Sequence, residues 1–185
     1  ALNATNLVLN STSGSIGTSG TAISTTVTNL TANATASGQN VYIAETNGLE
    51  ITGAQGAGNI YSLTSTTGNI TNATATATDI ITAPNVVLAA NAGSIGTTTA
   101  RVNINADNLT ANTTAANQSI FIGESNSINI GGASGTGTGG TFNLLAANNI
   151  TDTGAFLITA PTVVLTATTG SVGDSANRIQ MNATN

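Results

Sequence analysis

Several residue types are missing from this 185-residue chain, which contains no Cys, Lys, His or Trp and only two Pro. The lack of Cys fits an exported protein without disulfide bridges, and it fits a cytosolic protein as well. The only cations are two Arg, so the sequence argues against nucleic-acid binding. No apolar run reaches the ~20 residues of a transmembrane helix. Residues 1–10 have neither the charged start nor the apolar middle of a signal peptide.

The chain is also poor in charge, since only 5% of its residues are charged, where a soluble domain carries about 25%. The chain contains 12 Leu, 17 Ile, 9 Val and 3 Phe. The share of these four residue types lies just above the ~20% below which a chain usually forms no core. The net charge of −5 is mild for a disordered chain. Thr, Val and Ile are plentiful while Glu, Gln and Arg are scarce, so propensity predicts strands rather than helices.

A long internal repeat is the main feature of the sequence. The segment LVLNSTSGSIG, which begins at Leu7, returns as VVLAANAGSIG and a third time as VVLTATTGSVG. Gly14, Gly93 and Gly170 are therefore equivalent, and their numbers differ by 79 and then by 77. Between these anchors NLTAN recurs, and VYIAETNGLEI becomes IFIGESNSINI at the same offset as the first two glycines. The chain thus contains a true duplication.

The repeat defines the predicted domain organisation. We divide the chain into units at 6–84 and 85–161, with partial units at 1–5 and 162–185. Both ends fall inside a unit and lack the caps that usually close a repeat array. We therefore expect residues 1–185 to form a single β-helix segment of a longer array.

Short apolar triplets such as VVL, IFI, INI and FNL fill each unit, and Gly or Asn separates them. This is a strand-and-turn pattern that leaves no room for crossover helices. The sequence therefore predicts an all-β fold, a right-handed parallel β-helix with apolar residues inside and Thr, Ser and Asn outside. Stacked Asn or Thr side chains on adjacent coils are predicted to form ladders. Gly14, Gly17 and their counterparts are predicted at corners with positive φ.

The phrase V-x-L-x-A-x-x-G-S-I-G, followed by N-L-T-A-N and V-Y-I-x-E, resembles the passenger repeats of filamentous-haemagglutinin-like exoproteins. These are adhesins exported by two-partner secretion or related autotransport. The resemblance covers essentially the whole chain and implies about 20 residues per coil, hence about four coils per unit and about nine in all. It also implies an extracellular location. The NPNG-like and NPNL-like motifs of that family's secretion domain are absent.

The glycine-rich run at 135–140, GTGTGG, matches the G-x-G-x-x-G spacing of dinucleotide sites. Such a site needs a helix after the glycines, because the helix amides hold the pyrophosphate. Residues 141–144 read as a strand instead, and the chain has no Lys for a P-loop. We interpret the run as a corner loop and predict no cofactor.

A carbohydrate-active enzyme is one alternative, since some polysaccharide lyases and hydrolases are parallel β-helices. The acidic residues are Glu45, Glu50, Asp79, Asp107, Glu124, Asp152 and Asp174. Glu45 and Glu124 are repeat equivalents, so four coils would separate them by roughly 19 Å, whereas glycosidase carboxylates lie about 5–9.5 Å apart. Lyases also need basic residues, and the chain offers Arg101 and Arg178. We expect no catalytic residue, and no metal site because the acids are not clustered.

Ice binding is a second alternative, because flat Thr arrays on β-solenoids bind ice. Residues 74–78, TATAT, have the composition of such a face. The equivalent stretch at 151–155, TDTGA, has lost it. We therefore interpret the Thr-rich stretch as an exposed strand face.

The sequence as a whole predicts the structural shaft of a large secreted bacterial surface adhesin that acts in cell adhesion, aggregation or biofilm cohesion. We expect the protein to be tethered to the outer membrane rather than embedded in it. Its expected partners are like chains packed side by side, or host or matrix glycans bound by regions outside this segment. No enzymatic activity is expected.

Overall fold

The computed structural model describes residues 1–73 and 78–184. This described part is all-β, with 19 strands and no helix. The strands are β1 (Leu2–Asn10), β2 (Ile23–Ala34), β3 (Val41–Glu45), β4 (Leu49–Ile51), β5 (Gln55–Ala57), β6 (Ile60–Ser65), β7 (Ile70–Asn72), β8 (Ile80–Thr82), β9 (Asn85–Ala90), β10 (Val102–Asn105), β11 (Asn108–Thr113), β12 (Ile120–Glu124), β13 (Ile128–Ile130), β14 (Ser134–Gly135), β15 (Thr141–Ala146), β16 (Ile150–Thr151), β17 (Leu157–Ala160), β18 (Thr162–Ala167) and β19 (Gln180–Ala183).

Three successive strands make up one coil over much of the chain. β6, β7 and β8 pair in parallel with β3, β4 and β5, and β9 and β10 pair in turn with β6 and β8. In the second half, β15, β16 and β17 stack in the same way on β12, β13 and β14. The chain is therefore a parallel β-solenoid of about 8 coils, which confirms the all-β solenoid predicted from the repeats.

The coils are longer than the resemblance implied. Their lengths vary, since the coil from Val41 to its partner Tyr61 is shorter than the next one, from Tyr61 to its partner Val86. These lengths vary because the corners between the strands differ in size. The mean is about 23 residues, which is above the length expected from the resemblance. Each long unit therefore contains three coils and part of a fourth rather than four, and the chain forms about 8 coils rather than nine.

Equivalent residues of successive units do not stack on one another. One column of inward-facing residues runs through Ile16, Val41, Tyr61, Val86 and Leu109. A second column runs through Leu49, Ile70, Ile95, Ile120 and Phe142. Ile16 and Ile95 occupy the same position of the repeat but belong to different columns. Successive units are therefore rotated about the solenoid axis.

The core is a single cluster of buried apolar residues that extends from Ile16 to Ala160. In β6 the burial alternates, with Tyr61 and Leu63 at 0% exposure and Ser62 turned outward. Such alternation buries one face of each strand, and Val and Ile suit this pleated surface because they are β-branched. Burial of one Ile or Leu side chain contributes about 1.5–3 kcal/mol. Exposed apolar residues such as Val8 and Met181 gather near the two ends of the solenoid.

The corner glycines meet two different requirements. Positive φ values of 72°, 66° and 67° occur at three repeat-equivalent residues, Gly17, Gly96 and Gly173. The prediction for Gly17 is thereby confirmed, whereas the same prediction for Gly14 was wrong because its φ is not positive. Its counterpart Gly93 is required by close packing instead, since a Cβ atom there would lie 2.2 Å from the carbonyl oxygen of Gly68.

Candidate functional site

The acidic residues are dispersed along the solenoid. The buried ones are Glu45, Asp79, Glu124 and Asp152, and the exposed ones are Glu50, Asp107 and Asp174. Within residues 1–73 and 78–184, no three His, Cys, Asp or Glu side chains form a group that could hold a metal ion. The acids are therefore best understood one at a time.

Glu124 ends β12, and its side chain lies inside the solenoid with 4% exposure. Its Oε2 accepts the amide N–H of Ala106 at 3.0 Å, and its Oε1 accepts that of Asn126 at 2.8 Å. Burial raises the pKa of Glu124 to about 7, although these hydrogen bonds oppose the shift. The carboxyl group thus joins the corner after β12 to the coil beneath it.

Glu45 ends β3 and has an equivalent position inside the solenoid, with 0% exposure. Its Oε2 accepts the hydroxyl of Thr25 at 2.6 Å and the amide N–H of Val27 at 3.2 Å. Its Oε1 accepts the amide N–H of Asn47 at 3.2 Å. Both glutamates are therefore used as acceptors for backbone amides of their own corner and of the coil beneath.

The two glutamates are too far apart to act on one glycosidic bond. The column of stacked residues above Glu45 reaches Thr113 after three coils. Glu124 follows Thr113 in the chain, so it lies at least three coils above Glu45. Three coils correspond to about 14 Å, less than the roughly 19 Å expected from four coils. The carboxylates of glycosidases lie about 5–9.5 Å apart, so this pair lacks the geometry of a glycosidase.

Two aspartates stabilise loops in the last third of the chain. Oδ1 of Asp152 accepts the amide N–H of Phe156 at 2.8 Å. Oδ1 of Asp174 accepts the amide N–H groups of Asn177 and Ala176, each at 2.7 Å, and these bonds, that of Asn177 first, hold the pKa of Asp174 below its usual value. Asp174 therefore accepts local backbone amides, as expected for an isolated Asp in a corner. Asp152 also joins two coils, since its Oδ2 accepts the amide N–H of Gln180 at 3.3 Å.

The glycine-rich run lies between two strands. Gly135 ends β14 and Thr141 begins β15, so a strand rather than a helix follows the GTGTGG run. This is the corner loop that the sequence predicts. In the Thr-rich stretch 74–78, residues 74–77 lie outside the described residues, and the interpretation as a strand face stays a prediction.

The Arg101 side chain is held against two coils above it. Its Nη1 donates to the carbonyl oxygens of Ile122 at 3.1 Å and of Asn143 at 3.3 Å. Its Nη2 donates to Oδ1 of Asn143 at 2.9 Å. Burial lowers the pKa of Arg101, but a guanidinium stays charged in proteins. The chain thus fixes a cation on its surface with three backbone and side-chain acceptors.

Arg101 lines a surface groove of about 300 Å³. Ile80 and Leu145 contribute apolar side chains to the groove, and Asn103 and Ser125 contribute polar ones. Arg101 and Glu124 are the ionisable residues among those that line it. The groove therefore combines apolar surface, hydrogen-bonding groups and one permanent positive charge.

The first unit of the repeat lacks this arrangement. Three structurally equivalent positions differ between the units. Ala22 of the first unit corresponds to Arg101 of the second, Ala44 corresponds to Gly123, and Ser62 corresponds to Asn143. A Cβ atom at Gly123 would lie 3.6 Å from Cδ of Arg101, an ordinary contact, and 3.2 Å from Oδ1 of Asn103, a tight one. The cation and its acceptor Asn143 thus occur together in one unit.

Asparagines on successive coils form a hydrogen-bonded ladder. The Nδ2 of each donates to Oδ1 of the residue beneath, at 3.1 Å from Asn85 to Asn59, 3.1 Å from Asn108 to Asn85 and 2.8 Å from Asn129 to Asn108. The predicted stacking of Asn side chains is therefore confirmed at these four positions. Their role is to join coils, which accounts for part of the abundant Asn without catalysis.

Comparison with known proteins finds no matching family model, no matching curated protein and no matching solved structure. No helix long and apolar enough to cross a membrane occurs in the described ranges. The fold supports a β-helical repeat protein, and anything finer has to be argued from the residues and from the resemblance.

Proposed function

We propose that the chain is the structural shaft of a large secreted bacterial cell-surface adhesin. The observation that carries this proposal is the continuity of the stack. Parallel pairing and one apolar cluster extend through about 8 coils, which corresponds to a rod of about 38 Å. The resemblance to filamentous-haemagglutinin-like repeats adds the adhesin, the export and the role in adhesion, aggregation or biofilm cohesion.

The shaft works mechanically and without catalysis. Each coil contacts its two neighbours, so the rod lengthens with every unit. Hydrogen bonds between coils resist bending, and the side-chain ladder from Asn59 to Asn129 adds to them. Such a rod holds a binding region away from the cell surface.

Like chains are proposed to pack side by side. Charged residues are 5% of the chain, and a surface of Thr, Ser and Asn permits close approach with little charge repulsion. Analytical ultracentrifugation at low and at high NaCl concentration tests this packing. We expect the degree of association to be the same in both, and strong dependence on salt would contradict packing through an uncharged surface.

Location and role are tested on the cells that produce the protein. Antibodies raised against the 185-residue chain are expected to label intact cells, and labelling that appears only after permeabilisation would contradict the proposal. In-frame deletion of the complete unit 6–84 is expected to shorten the surface fibre and to leave binding by the distal region intact. Loss of all binding with a normally exported, shortened fibre would show that these coils are not a passive shaft.

A further inference from the structure

Among the described residues, two N–H donors of the Arg101 guanidinium have no acceptor. A guanidinium has five N–H donors. Asn143 takes one hydrogen from each Nη atom, and Ile122 takes the second hydrogen of Nη1. The Nε–H and the second Nη2–H are adjacent, and they have no acceptor within the described part of the chain. This side-on pair has the spacing that matches the two oxygens of a carboxylate.

The pair is fixed before any ligand arrives. Three acceptors on two coils set the orientation of Arg101. An arginine held in this way has already lost much of its rotamer freedom, so less entropy is lost on binding. The arrangement therefore has the pre-organisation of a binding group.

The charge around the groove limits the class of anion. Arg101 is the only cation among the described residues that line it, and Glu124, which is buried, also lines it. Polyanions such as nucleic acids or densely sulfated chains need several cations along their path. The oxygens of Glu124 are directed to the amides of Ala106 and Asn126. A ligand with one carboxylate on an otherwise neutral unit therefore fits the groove best.

The rest of the groove fits a sugar ring. Its volume of about 300 Å³ lies at the lower end of small-molecule sites. Ile80 and Leu145 offer apolar surface for the C–H face of a ring, and Ser125 and Thr168, which also line the groove, carry hydroxyl groups that can hydrogen-bond to a sugar. We propose that the groove beside Arg101 binds a uronic acid unit of an acidic polysaccharide, with the carboxylate on Nε–H and Nη2–H of Arg101.

This inference goes beyond the shaft, which needs no ligand of its own. It is tested by titrating trigalacturonate into the 185-residue chain at low ionic strength and following binding by calorimetry and NMR. Maltotriose, a neutral trisaccharide of the same length, is the ligand control. Arg178→Ala is the protein control, because it removes the same charge from an exposed loop.

We expect trigalacturonate to bind at least tenfold more tightly than maltotriose, with shifts centred on residues that line the groove. Arg101→Ala is expected to weaken binding at least tenfold, and Arg178→Ala less than twofold. Arg101→Lys keeps the charge but lacks the paired donors, and it is expected to weaken binding severalfold in a chain that folds normally. These results would support the site.

Three outcomes would overturn the proposal. Equal binding of the charged and neutral trisaccharides would show that the carboxylate is not recognised. Equal losses in the Arg101→Ala and Arg178→Ala variants would show that only net charge matters. Self-association that depends on Arg101, without binding of trigalacturonate, would assign the paired donors to a carboxylate on a second copy of the chain.

Discussion

The hydroxyl of Tyr61 donates a hydrogen bond to Oε1 of Gln55 inside the solenoid core. Both side chains are buried, and burial raises the pKa of Tyr61 above its usual range. Gln55 also accepts the amide N–H of Ala32 at 3.3 Å. At the equivalent places the second unit has Phe142 and Ser134. The second unit therefore lacks both the phenolic hydroxyl and its amide partner.

This pairing predicts a measurable coupling between Tyr61 and Gln55. Tyr61→Phe should lower the free energy of unfolding by about 1 kcal/mol, since one hydrogen bond is lost. Gln55→Ser should cost about 2–4 kcal/mol, because it leaves a cavity and a buried hydroxyl without its acceptor. The double variant, which copies the second unit, should cost about 1 kcal/mol less than the sum of the two. Urea unfolding followed by circular dichroism measures all three.

Phe142→Tyr is the matched control in the second unit. It places a hydroxyl in the core where Ser134 has replaced the longer amide, so it should lower the free energy of unfolding by about 1–3 kcal/mol. Strict additivity of the Tyr61 and Gln55 substitutions, within about 0.3 kcal/mol, would show that the two side chains do not depend on each other.

Gly14 and Gly93 predict opposite responses to the same substitution. A Cβ atom at Gly93 would lie 2.2 Å from the carbonyl oxygen of Gly68, and backbone cannot move aside cheaply. At Gly14 the nearest atom would be Oγ of Ser11 at 3.5 Å, an ordinary contact. Gly93→Ala should therefore cost about 1–3 kcal/mol of unfolding free energy, and Gly14→Ala should cost less than about 0.5 kcal/mol. Equal effects in thermal unfolding would contradict this interpretation of the corner.

The strands could be predicted from the sequence, but the coil length could not. Triplets such as IFI at 120–122 alternate inward and outward because of the two-residue period of a strand, and this survives in the structure. The coil length depends on corner loops such as 17–22, whose residues carry no periodic apolar pattern. The long repeat was therefore interpreted as four coils, although Ile16 and Ile95 stack in different columns.

The groove was missed for a related reason. Arg101 and Arg178 are repeat equivalents, 77 residues apart, but the acceptor Asn143 lies 42 residues away from Arg101, two coils above it. Only the register of the stack brings them together. The change from Ala22 to Arg101 between units was visible in the sequence, and it is the feature that would have singled out this position.

The asparagine ladder predicts that its inner members contribute more to the free energy of unfolding than an exposed polar residue does. Asn108 donates to Asn85 and accepts from Asn129, so Asn108→Ala removes two half-buried hydrogen bonds. We expect the free energy of unfolding to fall by about 1–3 kcal/mol. Asn182→Ala, in an exposed strand position of β19, is the control and should change it by less than about 0.5 kcal/mol. Urea unfolding of both variants checks this, and similar effects would show that the ladder contributes little.

Glu124 predicts that stability depends on pH. Burial raises its pKa from 4.5 to about 7, so between these pH values the folded chain keeps a proton that the unfolded chain has released. The contribution of Glu124 to the free energy of unfolding must then fall as the pH rises from 4.5 to 7, because stability decreases wherever the folded state binds more protons. The contribution is fully present below pH 4.5 and is lost above pH 7. Urea unfolding at closely spaced pH values across this window measures the slope.

Glu124→Gln separates this residue from the other acids. The amide has no proton to release, so the variant should lose the part of the slope between pH 4.5 and 7 that comes from Glu124. It should also be less stable than the parent at pH 4.5, since the amide nitrogen cannot accept the N–H that Ala106 or Asn126 donates to the carboxyl. The slopes rather than the absolute values are therefore the quantity to compare. A parent and a Gln variant with parallel curves across this window would show that the carboxyl of Glu124 ionises alike in the folded and unfolded chain.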